Sequence, residues 1–282
     1  MRRRFAGTST AVIVAVTSAG LAAGGFAVYN APGASQATGG TAVESVSSSG
    51  QVVGFYVDSL GVAHSFKVDG KGAYSAFDVP GAVNTAARGI NASGDISGEF
   101  DNGVNAHGFL LHKGTVTTID VPGAVNTYFV ALNDSGTMAG TFDDGIGTHG
   151  FVLDRGAFTT IDYPGAVATA VFGVGRGGEA AGSYFDGVSS HGLVWRNGTF
   201  TVIDPPGAVS SQARGINSRG DVAGQYTTAD AAVHAYVLSK GVFTTLDLPG
   251  AASTAARDIN ERGDIVGYYI DGTGNHGFKA TR

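Results

Sequence analysis

The chain has 282 residues, no cysteine, 46 glycines and a formal net charge of -6 at pH 7. The missing cysteine excludes a disulfide framework and any thiolate metal site. An acidic body repels phosphate backbones, which excludes nucleic acid as a partner class, and removal of Arg2, Arg3 and Arg4 would take the charge to -9.

The amino terminus reads MRRRF and then AGTSTAVIVAVTSAGLAA. A basic segment followed by a moderately apolar one is the pattern of an export signal. The apolar core is short for a membrane span, which argues against an uncleaved anchor. Arg2-Arg3-Arg4-Phe5 also fits a twin-arginine signal. Residues 1–24 are therefore expected to direct export, and the mature body to be secreted or held at the cell envelope without stable membrane insertion. The best small-x-small cleavage triplet is Ser35-Gln36-Ala37. Yet FAVYNAPGA (26–34) aligns without gaps on FTTIDYPGA (158–166), with Tyr29 for Ile161 and Asn30 for Asp162. A cut near Ala22 to Gly24, which keeps this segment, is preferred.

From there on one text repeats. Pro-Gly-Ala stands at Pro80, Pro122, Pro164, Pro206 and Pro249, in steps of 42, 42, 42 and 43 residues. The His of His-Gly-Phe recurs at His64, His107, His149, His191, His234 and His276. A fixed period of roughly 20–50 residues marks a repeat architecture. Each repeat holds four short runs, as in TAARGI (85–90), DISGEF (95–100), HGFLLH (107–112) and VTTID (116–120). They are rich in β-branched and aromatic residues and bounded by Gly, Asn, Asp and Pro, so they read as strands. Asn91-Ala92-Ser93-Gly94 predicts a type I turn closed by a left-handed glycine, and Asn-x-x-Gly returns at 133–136, 217–220 and 260–263. Proline cannot donate to a ladder, so Pro-Gly-Ala ends the fourth strand.

Four antiparallel strands in about forty residues make the blade of a β-propeller. First strands begin near 41, 85, 127, 169, 211 and 254, which gives six blades in a single domain, 25–282. The sixth runs out after three strands. Pairing residues 26–34 with it as a fourth strand closes the ring and removes an open edge. The fold is expected to be all-β, a six-bladed β-propeller of about 42-residue four-stranded blades closed by the amino-terminal strand. An open solenoid would need polar caps that the sequence lacks.

The recurring Ile-Asn-x-x-Gly-Asp-x-x-Gly followed by His-Gly/Ala-Phe resembles the HAF-type extracellular repeats of exported bacterial proteins. His234-Ala235-Tyr236 comes nearest to the namesake triplet. The resemblance covers the chain after residue 25 and implies export and a repeat β-fold. It implies no activity.

The six histidines suggest a metal, but equivalent positions spread around a ring cannot converge to the roughly 2 Å bonds of a zinc site. They are expected to bond inside their own blades, with the pairs Asp58/His64, Asp101/His107, Asp143/His149, Asp186/His191 and Asp271/His276 as candidates. No Ser recurs beside them, so triad chemistry fails. Asp78, Asp120, Asp162, Asp204 and Asp247 precede the Pro-Gly turns and read as turn formers. One carboxylate per repeat is too few for calcium. No metal and no cofactor are expected.

Arg88, Arg214 and Arg257 on first strands coincide with Asp95, Asp221 and Asp264 after the hairpin glycine. The other three repeats carry Glu44, Val130 and Phe172. Cross-strand ion pairs are the preferred reading, and an arginine-lined channel that takes an anionic ligand is the second. Function in a repeat protein sits where symmetry breaks. The breaks are Trp195 with Arg196 and Asn197, Glu99 at a position held elsewhere by Tyr56, Thr141, Ser183, Gln225 and Tyr268, and Tyr128 and His112. Candidate ligand-binding residues are Trp195, Arg196, Glu99, Arg88, Arg214 and Arg257. No catalytic residue is assigned.

Near-perfect repetition favours a non-enzymatic binding or scaffold module at the cell exterior, because catalysis needs one unique constellation. Its partner would be an extracellular protein or a glycan, and the chain a monomer. The alternatives are a multivalent carbohydrate-binding lectin and a secreted polysaccharide hydrolase or lyase.

Overall fold

Six antiparallel sheets of four strands account for the six repeats. The structure is a computed structural model and describes residues 25–281, so the expected export signal lies outside the described residues. The described residues form a β-propeller without helices. No helix among them is long and apolar enough to cross a membrane.

The first strands are Thr41–Val46, Asn84–Ile90, Asn126–Leu132, Ala168–Val174, Ser210–Ile216 and Ser253–Ile259. They stand next to one another around the ring and face its axis. In five sheets the strands run in sequence order. The sixth has the order Gly25–Tyr29, Gly274–Thr281, Ile265–Asp271, Ser253–Ile259. Its outermost strand comes from the amino terminus, with Phe26 opposite Ala280 and Val28 opposite Phe278. The expected closure is present.

The closing segment reproduces the joints of the other blades. Before the Pro-Gly turns a backbone N–H donates to the buried Thr that opens the next blade, except where Pro205 has no N–H and Ser211 Oγ bonds Asp204 instead. Val79 bonds Thr85 at 3.1 Å, Val121 bonds Thr127 at 3.0 Å and Leu248 bonds Thr254 at 3.2 Å. At the closure Ala31 donates to Thr41 Oγ1 at 3.0 Å. Residues 26–34 thus behave as a fourth strand and its turn, although the strand itself stops at Tyr29. Past it, Ser35 N donates to Val57 O, and Gln36 Oε1 accepts from Asn275 N. The cleavage triplet is bonded into the fold.

The core lies between blades. Phe66, Phe109, Phe151, Leu193, Tyr236 and Phe278, two residues after each His, are no more than 1% exposed. Burying one such side chain stabilises by about 1.5–3 kcal/mol. Around Phe109 the cluster takes Val53 from the first blade and Ala87, Ile90 and Ile96 from the second. The small residue between His and Phe is needed because the next blade's first strand presses on it. A Cβ on Gly150 would lie 2.6 Å from Val171, and one on Gly277 2.7 Å from Val43.

The Asn-x-x-Gly hairpins form as predicted. Gly94 N–H donates to Asn91 O, and Gly94 adopts φ +85°. Asn133, Asn217 and Asn260 also donate through Nδ2 to a hairpin carbonyl of the following blade. These bonds tie the blades at one rim of the axis.

Candidate functional site

Every first strand carries a β-bulge at the same place. Pairing skips Glu44, Arg88, Val130, Phe172, Arg214 and Arg257. An extra residue in one strand falls out of the ladder and is re-aimed. Here the bulge sits on the innermost strand. Opposite it the second strand holds a glycine in each blade, where a Cβ would strike a carbonyl. The gap is 2.2 Å between Gly98 and Ala86 O, and 2.1 Å between Gly182 and Ala170 O. A position at which the repeats differ in charge is therefore one that the bulge delivers to the axis.

The side chains gather there. Arg88 donates to Glu99 Oε1 from Nε at 3.0 Å and Nη2 at 2.6 Å, and its Nη1 lies 3.2 Å from Glu44 Oε2. Arg257 Nε lies 3.7 Å from Glu44 Oε1. Arg214 donates from Nη2 to Gln212 Oε1 and stacks 3.9 Å over the Phe172 ring. Arg88 lies over Phe55 and Arg257 over Tyr268, at 4.8 and 4.9 Å. Asp258 accepts from Ser45 Oγ, Val46 N and Ile259 N at 2.7, 3.1 and 2.8 Å. Of these, Glu44, Ser45, Arg88, Phe172, Arg214, Arg257 and Asp258 line a chamber of about 30 Å³.

Electrostatics in the chamber are uneven. Burial pushes Glu44 up, but Arg257, Arg88 and Arg214 outweigh it and hold the carboxyl below its usual range. Burial, with Glu44 nearby, pushes Asp258 above the usual range against its three donors. Arg214 has no carboxylate partner among the described residues. Burial and the neighbouring Arg257 cation pull it well below the ordinary guanidinium range.

Two sequence expectations are corrected here. The ion pairs Arg88/Asp95, Arg214/Asp221 and Arg257/Asp264 do not form. The bulge turns each arginine to the axis, and the aspartates lie beyond the last rung of the ladder. They serve the hairpins instead: Asp95 bonds Asn91 and His112, Asp221 bonds Asn217 and Arg219, and Asp264 bonds Asn260 and Arg262. The register also shows that Glu99 corresponds in the first blade to Phe55 and not to Tyr56, since Ala42 faces Phe55 as Ala86 faces Glu99.

The histidines do stay in their own blades, but their main partners are the aspartates before Pro-Gly. His64, His149, His191 and His234 place Nδ1 2.8 Å from Asp78, Asp162, Asp204 and Asp247, and His107 lies 3.0 Å from Asp120. In the closing blade His276 takes Asn30 at 2.7 Å. The start of the third strand lies beside the end of the fourth, a cross-strand neighbourhood that sequence spacing conceals. The turn carboxylate is a second, longer contact from Nε2 for Asp58, Asp186 and Asp271, at 3.5, 3.4 and 3.3 Å. For His149 it is Asp144 at 3.6 Å and not Asp143, which accepts from Asn126. For His107 it is Asn102 and not Asp101, which accepts from Asn84. Each ring also lies against an aromatic of the second strand, 5.1 Å from Phe142 for His149. Two of the rings also meet a hydroxyl at Nε2, Ser189 Oγ at 3.0 Å from His191 and Thr273 Oγ1 at 2.8 Å from His276.

Trp195 and Arg196 lie away from the chamber. Trp195 is half-buried against Phe200 and the cluster around Ile161 and Val171. Arg196 is exposed, meets Glu179 at 3.1 Å, and with Asn197, Thr199 and Thr201 lines a groove of about 550 Å³ between the fourth and fifth blades. A comparable groove of about 490 Å³ between the first two blades holds Lys67, His112 and Lys113. At the opposite end of the blades, Leu60, Val104, Ile146 and Val188 cap the loops between second and third strands and are 84–96% exposed. Sequence reasoning passed over these tips because each is a single apolar residue in a polar loop.

No protein-family model and no curated protein matches the chain. Solved structures do. AofleA from Arthrobotrys oligospora is 10% identical, covers 97% of this chain and 92% of its own, and has a TM-score of 0.59. A mutant Aleuria aurantia lectin in complex with Fucalpha1-6GlcNAc is 11% identical over 84% of this chain and 90% of its own, at 0.53. TolB from Acinetobacter baumannii is 11% identical at 0.59, covers 82% of this chain, and is spanned to 63% of its length. At such identities the likeness shows the propeller fold.

Proposed function

We propose that the chain is an exported, non-enzymatic binding module that works at the cell exterior and belongs with the HAF-type repeat proteins. The observation that carries this is the placement of sequence variation. The six bulges carry four residue types, and Glu44, Arg88, Phe172, Arg214 and Arg257 among them line one chamber on the axis. That chamber is built for recognition. The two glutamates at the axis, Glu44 and Glu99, are both engaged by Arg88, so neither stands ready to move a proton across an open bond.

A second reading, a multivalent lectin, is favoured by the two grooves between blades, which combine polar side chains with apolar floor. The lectins among the structural neighbours support that reading through fold alone.

Fractionation of cells that produce the full-length chain tests export. The exported product is then applied to a glycan array and to secreted polysaccharides. Export without turnover is the expected result, and glycan binding lost on Arg196→Ala would favour the lectin. Polysaccharide turnover that disappears in Glu99→Gln would refute the non-enzymatic reading.

A further inference from the structure

The geometry points to a site for one small monovalent anion, of chloride to formate size, in the axial chamber, held by Arg214 together with Arg257. This deepens the binding reading above and rests on it. Three guanidinium groups, Arg88, Arg214 and Arg257, line the chamber with Glu44 and Asp258, and Glu99 pairs with Arg88 beside it. Arg88 takes both glutamates, and Arg257 has a long contact to one. Arg214 has a neutral amide and an aromatic face.

Asp258 does not supply the missing charge. Its oxygens are occupied by a hydroxyl and two backbone N–H groups. The Nε atoms of Arg214 and Arg257 are both buried without a hydrogen-bond partner. Buried donors in folded proteins are rarely left open, and a buried cation is costly unless paired. Arginine does not escape by losing its proton. An anion that accepts from Nε removes both deficits at once, whereas a water molecule removes only the first. The direction in which Arg214 is pulled by burial and Arg257 agrees with an absent counter-charge.

Size and access narrow the ligand. A water molecule needs roughly 10–15 Å³ of such space, so a chamber of about 30 Å³ takes one or a few atoms and excludes a sugar ring. A second cavity of about 60 Å³ shares Ser45, Leu132, Val174 and Asp258 with the chamber and leads to the hairpin rim, past Ser47, Asn133 and Asn260. Neutral amides and hydroxyls line that path. Asp134 and Glu261 outnumber the one cation, Arg176, along this cavity and with Glu44 inside disfavour multivalent anions.

The test uses the purified mature chain at constant ionic strength, with sodium gluconate replaced stepwise by chloride, formate or sulfate. The thermal midpoint should rise with chloride or formate and saturate as one site, following the logarithm of concentration. Sulfate should match gluconate. Arg214→Met should abolish the response, while Arg196→Ala should keep it. Bromide-soaked crystals should give one anomalous peak within hydrogen-bond reach of Arg214 Nε. Equal midpoints in chloride and gluconate, a retained response in Arg214→Met, or an empty chamber at saturating bromide would each overturn the inference. If Arg214→Met does not fold, the bromide position in the unmodified chain decides. An empty chamber in an exported protein without turnover would leave the binding-module reading standing. Turnover lost in Glu99→Gln would remove that reading while the anion site stood.

Discussion

Replacing Arg88 by Met should be among the most damaging single changes on the axis. The guanidinium joins two carboxylates, at 2.6 Å to Glu99 and 3.2 Å to Glu44, and the Glu44 side chain is only 5% exposed. Removing one partner of a buried ionic group costs about 3–5 kcal/mol, because the remaining charge stays buried. Glu44 keeps a long contact to Arg257, and Glu99 is more accessible, at 19%. The expected loss is therefore at the lower end, about 3 kcal/mol at pH 7. At roughly 2–4 °C per kcal/mol for a domain of this size, that is about 6–12 °C in Tm. The sign of the pH dependence is fixed by Glu44. Its folded pKa is depressed, so it contributes stability above the unfolded value of about 4.3, and that is lost as pH falls through the folded value. Without Arg88 this contribution shrinks, so the gap between variant and parent should narrow from pH 7 to pH 4. Urea unfolding followed by the fluorescence of Trp195 measures both quantities, and Glu99→Gln added to Arg88→Met should recover part of the loss. A penalty under about 1 kcal/mol, or one unchanged between pH 7 and pH 4, would refute the account of the chamber.

Three further outcomes are expected. Thr127→Val keeps shape but strands the Val121 N–H that Thr127 Oγ1 accepts at 3.0 Å. It should cost about 1–3 kcal/mol in equilibrium unfolding, with Thr127→Ser retaining most of the stability. Gly182→Ala should be worse than Gly178→Ala, because the first puts a Cβ 2.1 Å from the Ala170 carbonyl while the second meets open space and only strained φ. Overpacking costs about 1–3 kcal/mol against roughly 1 for an alanine at positive φ, and the reverse order would contradict the close approach at the bulge. Burial lowers the His191 pKa, but the Asp204 hydrogen bond and charge, helped by Asp186, raise it on balance. Its contribution to stability is thus full below the unfolded value of about 6.5 and is lost as pH rises through the folded value. Asp204→Asn should lower the His191 pKa in an NMR titration, and no change would refute the assignment of the partner.

The repeat period, the phase of the blades and the closing strand were legible because each is written in residues whose chemistry is local. Glycine after Asn-x-x, Pro before Gly and the spaced Phe state turns and core without knowledge of what they touch. Partners across strands were not legible. His107 lies five or six residues from one set of carboxylates and thirteen from Asp120, and only the hairpin between third and fourth strands brings the distant one to 3.0 Å. The arginines were misread for a related reason. Alternation along a strand places Arg88 beside its cross-strand neighbour, but the bulge breaks that alternation at this residue. The signal was present as the glycine conserved opposite it in every repeat of the chain, at Gly54, Gly98, Gly140, Gly182, Gly224 and Gly267.

Those glycines also explain why the repeats tolerate variety at one place. A position inside the ladder is constrained by the neighbour across the strand and by the blade behind it, so Thr85, Ala87 and Phe109 have close equivalents all round the ring. A bulged residue has no rung to satisfy and faces its counterparts across the axis. Charge placed there is sensed by five other blades at once, at short range and in a medium that screens little. Substitution at six bulges can therefore reshape one chamber without disturbing a single hairpin. The result is a fold in which symmetry holds the body together while the axis is free to become specific, and the unbalanced Arg214 is the point at which that freedom has been used.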